Sequence, residues 1–134
     1  MTLLSQLIGQ DAVALQTAVT TGKVKGIRVR QNRITHVELS KITIPVVAVR
    51  SFDGDVLTYD GAEVVAVESV ITSDPRHLLI LDLDGNGLGH IEDLEIAADG
   101  TIETILTKDD EILGARLRTI GSFAAVCGER SVNA

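Results

Sequence analysis

Arg33-Ile34-Thr35-His36-Val37-Glu38-Leu39, followed after Ser40 by Lys41-Ile42-Thr43-Ile44, decides the fold class. Ile34, Val37, Leu39, Ile42 and Ile44 stand between polar residues, the strand-like pattern of a sheet with one buried face. Moving outward, Thr101-Ile102-Glu103-Thr104-Ile105-Leu106 begins with the same alternation and then loses it. Denser runs, Val46-Val47-Ala48-Val49 and Leu78-Leu79-Ile80-Leu81, read as strands covered on both faces. Turn chemistry separates these runs at Thr21-Gly22, Gln31-Asn32, Asp53-Gly54, Asp60-Gly61, Asp84–Gly87 and Asp99-Gly100. Short strands at this spacing predict an all-β barrel or sandwich. One helical turn is expected over Leu3–Ile8, whose leucines share a face and which Gly9 stops. Asp11–Val19 reads equally as a second helix or as a strand.

The 134 residues include 15 Val, 13 Ile and 15 Leu but only three aromatics, Phe52, Tyr59 and Phe123. That aliphatic content, with a mean hydropathy of +0.26 and 23% charged residues, builds a folded core and excludes intrinsic disorder. Apolar runs of about five residues are far short of the roughly 20 a bilayer demands, so no membrane insertion is expected. Met1–Ile8 has no basic leader region, and the single Cys127 reads as a reduced, buried thiol; both suit a cytoplasmic protein. A net charge of −7 disfavours nucleic acid as a partner, except within a ribonucleoprotein. The charge is uneven: residues 1–62 carry +2 and residues 63–134 carry −9.

The chain repeats itself weakly. Gly22-Lys23-Val24-Lys25-Gly26 matches Gly85-Asn86-Gly87-Leu88-Gly89, and Val49–Gly54 matches Leu117–Gly121. Offsets of 63 to 68 place a few inserted residues in the second copy, most simply at the Ala97–Gly100 hairpin. Two halves are expected, 1–62 and 63–134, joined near Gly61–Val64.

Leu7-Ile8-Gly9 before a strand, a Gly-x-x-x-Gly opening a charged strand, a Gly-capped hairpin and the closing Ile120-Gly121 together resemble the PRC-barrel family. The resemblance covers both halves and is clearer in the second. It implies two small β-barrels in tandem behind a short N-terminal helical turn. It also implies a non-enzymatic role in docking onto other macromolecules, with no shared catalytic residues and no cofactor.

Asp82-Leu83-Asp84-Gly85-Asn86-Gly87 fits the opening of a calcium loop, with Asp93 at its twelfth position. Asp82, Asp84, Asn86 and Asp93 are therefore the candidate cation ligands, against the plainer reading of a hairpin turn. His36, His77 and His90 lack metal-ligand spacing, and Asp109-Asp110-Glu111 are adjacent solvated acids. No nucleophile motif or phosphate loop is present, so no enzyme is expected.

Lys23, Lys25, Arg28, Arg30 and Arg33 place five cations in eleven residues. The apolar parity slips at Gly26, and a bulge there would keep Val24, Ile27 and Val29 inside and the cations outside. These cations form a candidate docking surface for an acidic protein or macromolecular complex. In the repeat, their strand corresponds to the one carrying Glu92, Asp93 and Glu95, so opposite charges could meet between the halves or across a homodimer.

Overall fold

The computed structural model describes residues 1–52, 54–61, 65–66 and 74–128. It is all-β, with four four-stranded sheets and one short helix. The chain opens with β1 (Thr2–Leu3) and α1 (Leu4–Leu7), which Leu4 and Leu7 anchor in the core. The strands β2 (Asp11–Ala14), β3 (Val19–Lys23), β4 (Gly26–Arg30), β5 (Arg33–Glu38) and β6 (Ile42–Pro45) follow. After a 3₁₀ turn at Val46–Ala48 come β7 (Val49–Ser51), β8 (Val56–Tyr59) and β9 (Val65–Ala66). The remaining strands are β10 (Leu79–Leu81), β11 (Gly87–His90), β12 (Asp93–Ile96), β13 (Ile102–Leu106) and β14 (Glu111–Leu113). A second 3₁₀ turn, Gly114–Arg116, leads to β15 (Leu117–Ile120) and β16 (Ala124–Cys127).

The sheets β3-β2-β8-β7 and β11-β10-β16-β15 have one topology, each with a parallel central pair. Ala12 pairs with Leu57, and Ile80 with Ala125, 68 positions on. The other two sheets, β4-β5-β6-β9 and β1-β12-β13-β14, share the antiparallel meander β4-β5-β6 and β12-β13-β14. No sheet among the described residues closes into a barrel. Three irregularities recur at equivalent places. Thr21 and Leu88 stand unpaired in β3 and β11, Thr35 and Glu103 in β5 and β13, Arg50 and Arg118 in β7 and β15. A bulge at Thr35 is why Ile34 and Val37, three residues apart, are both buried.

These pairings correct the register of the repeat. Gly22, opposite Ala12, corresponds to Gly89, opposite Ile80; Gly26 opens β4 and corresponds to Asp93. The two halves run 67 or 68 positions apart throughout, not 63. Three further expectations change. Val46–Ala48 is a 3₁₀ turn, not a strand. Asp11–Ala14 is a strand, not a helix. Lys23–Arg30 is not one bulged strand: Val24 and Lys25 carry the chain from one sheet to another. There Val24 N–H donates to Gln10 O (2.9 Å) and Lys25 N–H to Glu38 O (2.8 Å). The expected sidedness nonetheless holds, with Val24 and Ile27 buried and all five cations exposed. The junction expected at 61–64 falls largely outside the described residues.

One apolar core spans both halves, uniting Leu4, Ile34 and Ile44 with Ile80, Leu94 and Ile102. The halves also bond directly at their hairpin tips. Ile34 N–H donates to Gly100 O (2.8 Å) and Ile102 N–H to Asn32 O (2.7 Å), on either side of an Arg33–Thr101 bridge. No described helix is long and apolar enough to cross a membrane.

Two substitutions test the backbone argument. A Cβ on buried Gly114 would lie 1.8 Å from Ile102 O, so Gly114→Ala should cost about 3 kcal/mol or more, read from urea midpoints. Gly54→Ala, in open space, should stay within about 0.5 kcal/mol. Ala18 holds φ +56, left-handed like Gly85 at φ +86 in the other half, so Ala18→Gly should stabilise the chain by up to about 1 kcal/mol.

Candidate interaction site

The cations fall on three elements. Lys23 ends β3 and pairs with Asp11 (3.1 Å). Lys25, Arg28 and Arg30 lie exposed along β4, an outer strand of its sheet among the described residues. Arg33 begins β5 and reaches Asp99 of the other half (Nη2–Oδ2 3.2 Å). Lys25 and Arg30 have no ion pair among the described residues.

Arg28 is the exception on β4. Its Nε donates to Glu38 Oε1 at 2.5 Å, while the second oxygen, Oε2, is buried and has no hydrogen-bond partner. Glu38 is wholly buried although Arg28 remains 45% exposed. The guanidinium thus neutralises a buried carboxylate from the surface and keeps its terminal nitrogens available. Alongside, β4 borders a groove of about 420 Å³ whose apolar walls are Ile27, Val29, Pro75 and Ile120. The groove lies between an outer strand of one half and the β15–β16 corner of the other. Glu38 and Ile120 were not singled out in the sequence. The clue for Glu38 was an acid placed between core residues Val37 and Leu39; Ile120 joins the site only through the tertiary fold.

Among Glu92, Asp93 and Glu95, none meets the basic strand. Asp93 Oδ1 accepts from Ser5 N–H (3.0 Å) and Oδ2 from Ser5 Oγ (2.5 Å), which secures α1 over β12. Glu95 lies opposite Leu3 of β1, and Glu92 is exposed. The one ion pair joining the halves is Arg33–Asp99 among the described residues.

Asp82 and Asp93, expected to share a cation, have separate partners. Asp82 Oδ1 accepts from Asn86 N–H (2.8 Å) and Asp84 N–H (2.9 Å), closing the β10–β11 turn on its own carboxylate. The Asn86 N–H above all holds Asp82 below the ordinary carboxylate range. Slight desolvation opposes this, and the Asp84 N–H and Asn86 side-chain amide reinforce it. Asp84 and Asn86 are exposed. No three His, Cys, Asp or Glu side chains gather as a metal site among the described residues. Burial pushes the Cys127 thiol up, with Arg116 opposing, and the residue is fully buried.

No family model matches the chain, and no curated protein sequence does either.

The Arg28–Glu38 pair makes a specific energetic claim. Arg28→Ala strands a buried carboxylate and should destabilise by about 1–3 kcal/mol, the lower end allowing for the half-exposed guanidinium. Arg28→Met/Glu38→Leu should recover most of that loss in the same denaturation series, because both charges go together.

Proposed function

We propose that the chain is a non-catalytic, cytoplasmic interaction module of the PRC-barrel kind, which docks an acidic segment of a macromolecular partner on β4. The observation that carries the reading is the row Lys25, Arg28 and Arg30. These cations are exposed on an outer strand, and their only ion pair among the described residues is the single Arg28–Glu38 contact. Surface cations already neutralised by neighbours offer little to a partner; these retain most of their donors. Exposed charge pairs add only about 0–1 kcal/mol each, so they orient a partner and speed its arrival. Apolar contact must supply the rest, and the groove beside β4 offers Ile27, Val29 and Ile120. The acidic total charge of −7 suits this division, because it repels indiscriminate polyanions while a local basic row selects.

The test uses wild-type, Arg30→Glu and Lys25→Glu/Arg30→Glu chains as baits in native-host lysate at low and high salt. Neither variant disturbs Glu38. Wild type should retain a defined partner that both variants lose in step with charge, and that about 0.5 M salt releases. Equal capture by all three baits would reduce the basic row to a solvated strand face.

A further inference from the structure

The duplicated fold contains its own template for what the groove beside β4 accepts. On β12, the counterpart of β4, the outer edge is covered: Thr2 of β1 lies opposite Ile96 and Leu3 opposite Glu95, antiparallel. Thr2 is buried there, and the space left beside Val49 and Phe52 is only about 110 Å³. The equivalent positions on the other half are Val29 for Ile96, Arg28 for Glu95 and Ile120 for Phe52. At those positions the groove measures about 420 Å³, and β4 has no strand on its outer side among the described residues. An unpaired strand edge facing an apolar wall presents a ladder of backbone donors and acceptors to any extended chain.

We propose that this groove takes an extended acidic segment of a partner protein, added antiparallel to β4 in the register that β1 adopts on β12. The inference rests on the docking reading above and specifies its mode. The register also specifies the segment. A small residue would lie opposite Val29, as Thr2 lies opposite Ile96. Its neighbour would face Arg28, where Leu3 faces Glu95; the cation selects an acid there. The residue before the small one would face Arg30, which again favours an acid. An apolar residue would follow, as buried Leu4 follows Leu3. The pattern is acid, small, acid, apolar. Backbone bonds to β4 supply a sequence-independent part of the affinity, and Lys25, Arg28 and Arg30 exclude basic segments.

The experiment titrates two synthetic dodecapeptides into the full-length ¹⁵N-labelled chain, one carrying Asp-Thr-Glu-Leu and the other Lys-Thr-Lys-Leu in a Gly/Ser background. The acidic peptide should shift the backbone amides of Arg28, Val29 and Ile120 while leaving Ile96 unmoved, and should slow hydrogen exchange along β4. Arg30→Glu should weaken it by about tenfold and improve the lysine peptide. Arg28→Glu should do the same, with Arg30→Glu guarding against misfolding at Glu38. Three results would overturn strand addition. Charge-dependent binding without slowed β4 exchange leaves the docking reading standing and removes this mode. Full protection of β4 amides in the free chain means another segment of the chain already covers the edge. Absence of binding by either peptide removes the segment chemistry, while the lysate baits judge the docking reading separately.

Discussion

Two backbone hydrogen bonds around one residue pair hold the two halves in register. Ile34 donates to Gly100 and Ile102 donates to Asn32. Because Ile34 and Ile102 occupy the same place in the repeat, the two bonds exchange when the halves do, and Arg33 and Thr101 lie at their centre. The contact demands close approach. Gly100 has φ +90, and a Cβ there would stand 3.2 Å from both Ile34 O and a Val46 methyl. Each bond is worth only about 1 kcal/mol net, yet together they set which faces of β5 and β13 turn inward. Ile34 and Ile102 then enter a common core. A shift by one residue would put both on the wrong face, so a small polar contact governs a large apolar one.

The same duplication explains which features were legible in the sequence. Strand content was visible because aliphatics in β5, β6 and β13 follow the pleat. The repeat was visible too, but its register was not. The second half keeps Gly85 and Gly89 at its two left-handed positions, whereas the first has Ala18 and Gly22 there. An alanine tolerating φ +56 removed the first glycine of the motif. Gly26, which follows Gly22 at the same spacing, took its place and displaced the alignment by four residues. The Val46–Ala48 turn was hidden for a different reason: its composition is that of a buried strand, and only the need to pass from β6 to β7 bends it.

For the site, local chemistry was readable and tertiary chemistry was not. Five cations alternating with Val24, Ile27 and Val29 belong outside whatever the fold, and they are exposed. Nothing local shows that Glu38 lies beneath one of them or that Ile120, some 90 residues on, forms the opposite wall. The calcium-like spacing of Asp82 to Asn86 was equally real as a pattern. Its carboxylate is taken up by the turn it initiates, because backbone N–H groups two and four residues on are the nearest donors.

The halves differ most at their sheet margins, and there the charge asymmetry acquires a physical role. Among the described residues β12 is covered by β1 and β6 by β9, whereas β4 and β14 are outer strands. The two outer strands carry opposite signs: Lys25, Arg28 and Arg30 along β4, and Asp109, Asp110 and Glu111 at the start of β14. Charge on an edge deters like edges from pairing, which protects a β-rich chain of 134 residues from stacking on itself. Opposite signs alone would invite β4 of one molecule to β14 of another. A whole sheet margin, however, must bring β13 with it, while the groove beside β4 is walled by Ile120 and Pro75. A single extended segment meets no such obstacle, as β1 shows on β12. Groove width and edge charge therefore act as two filters in series, the first admitting one strand and the second requiring that it be acidic.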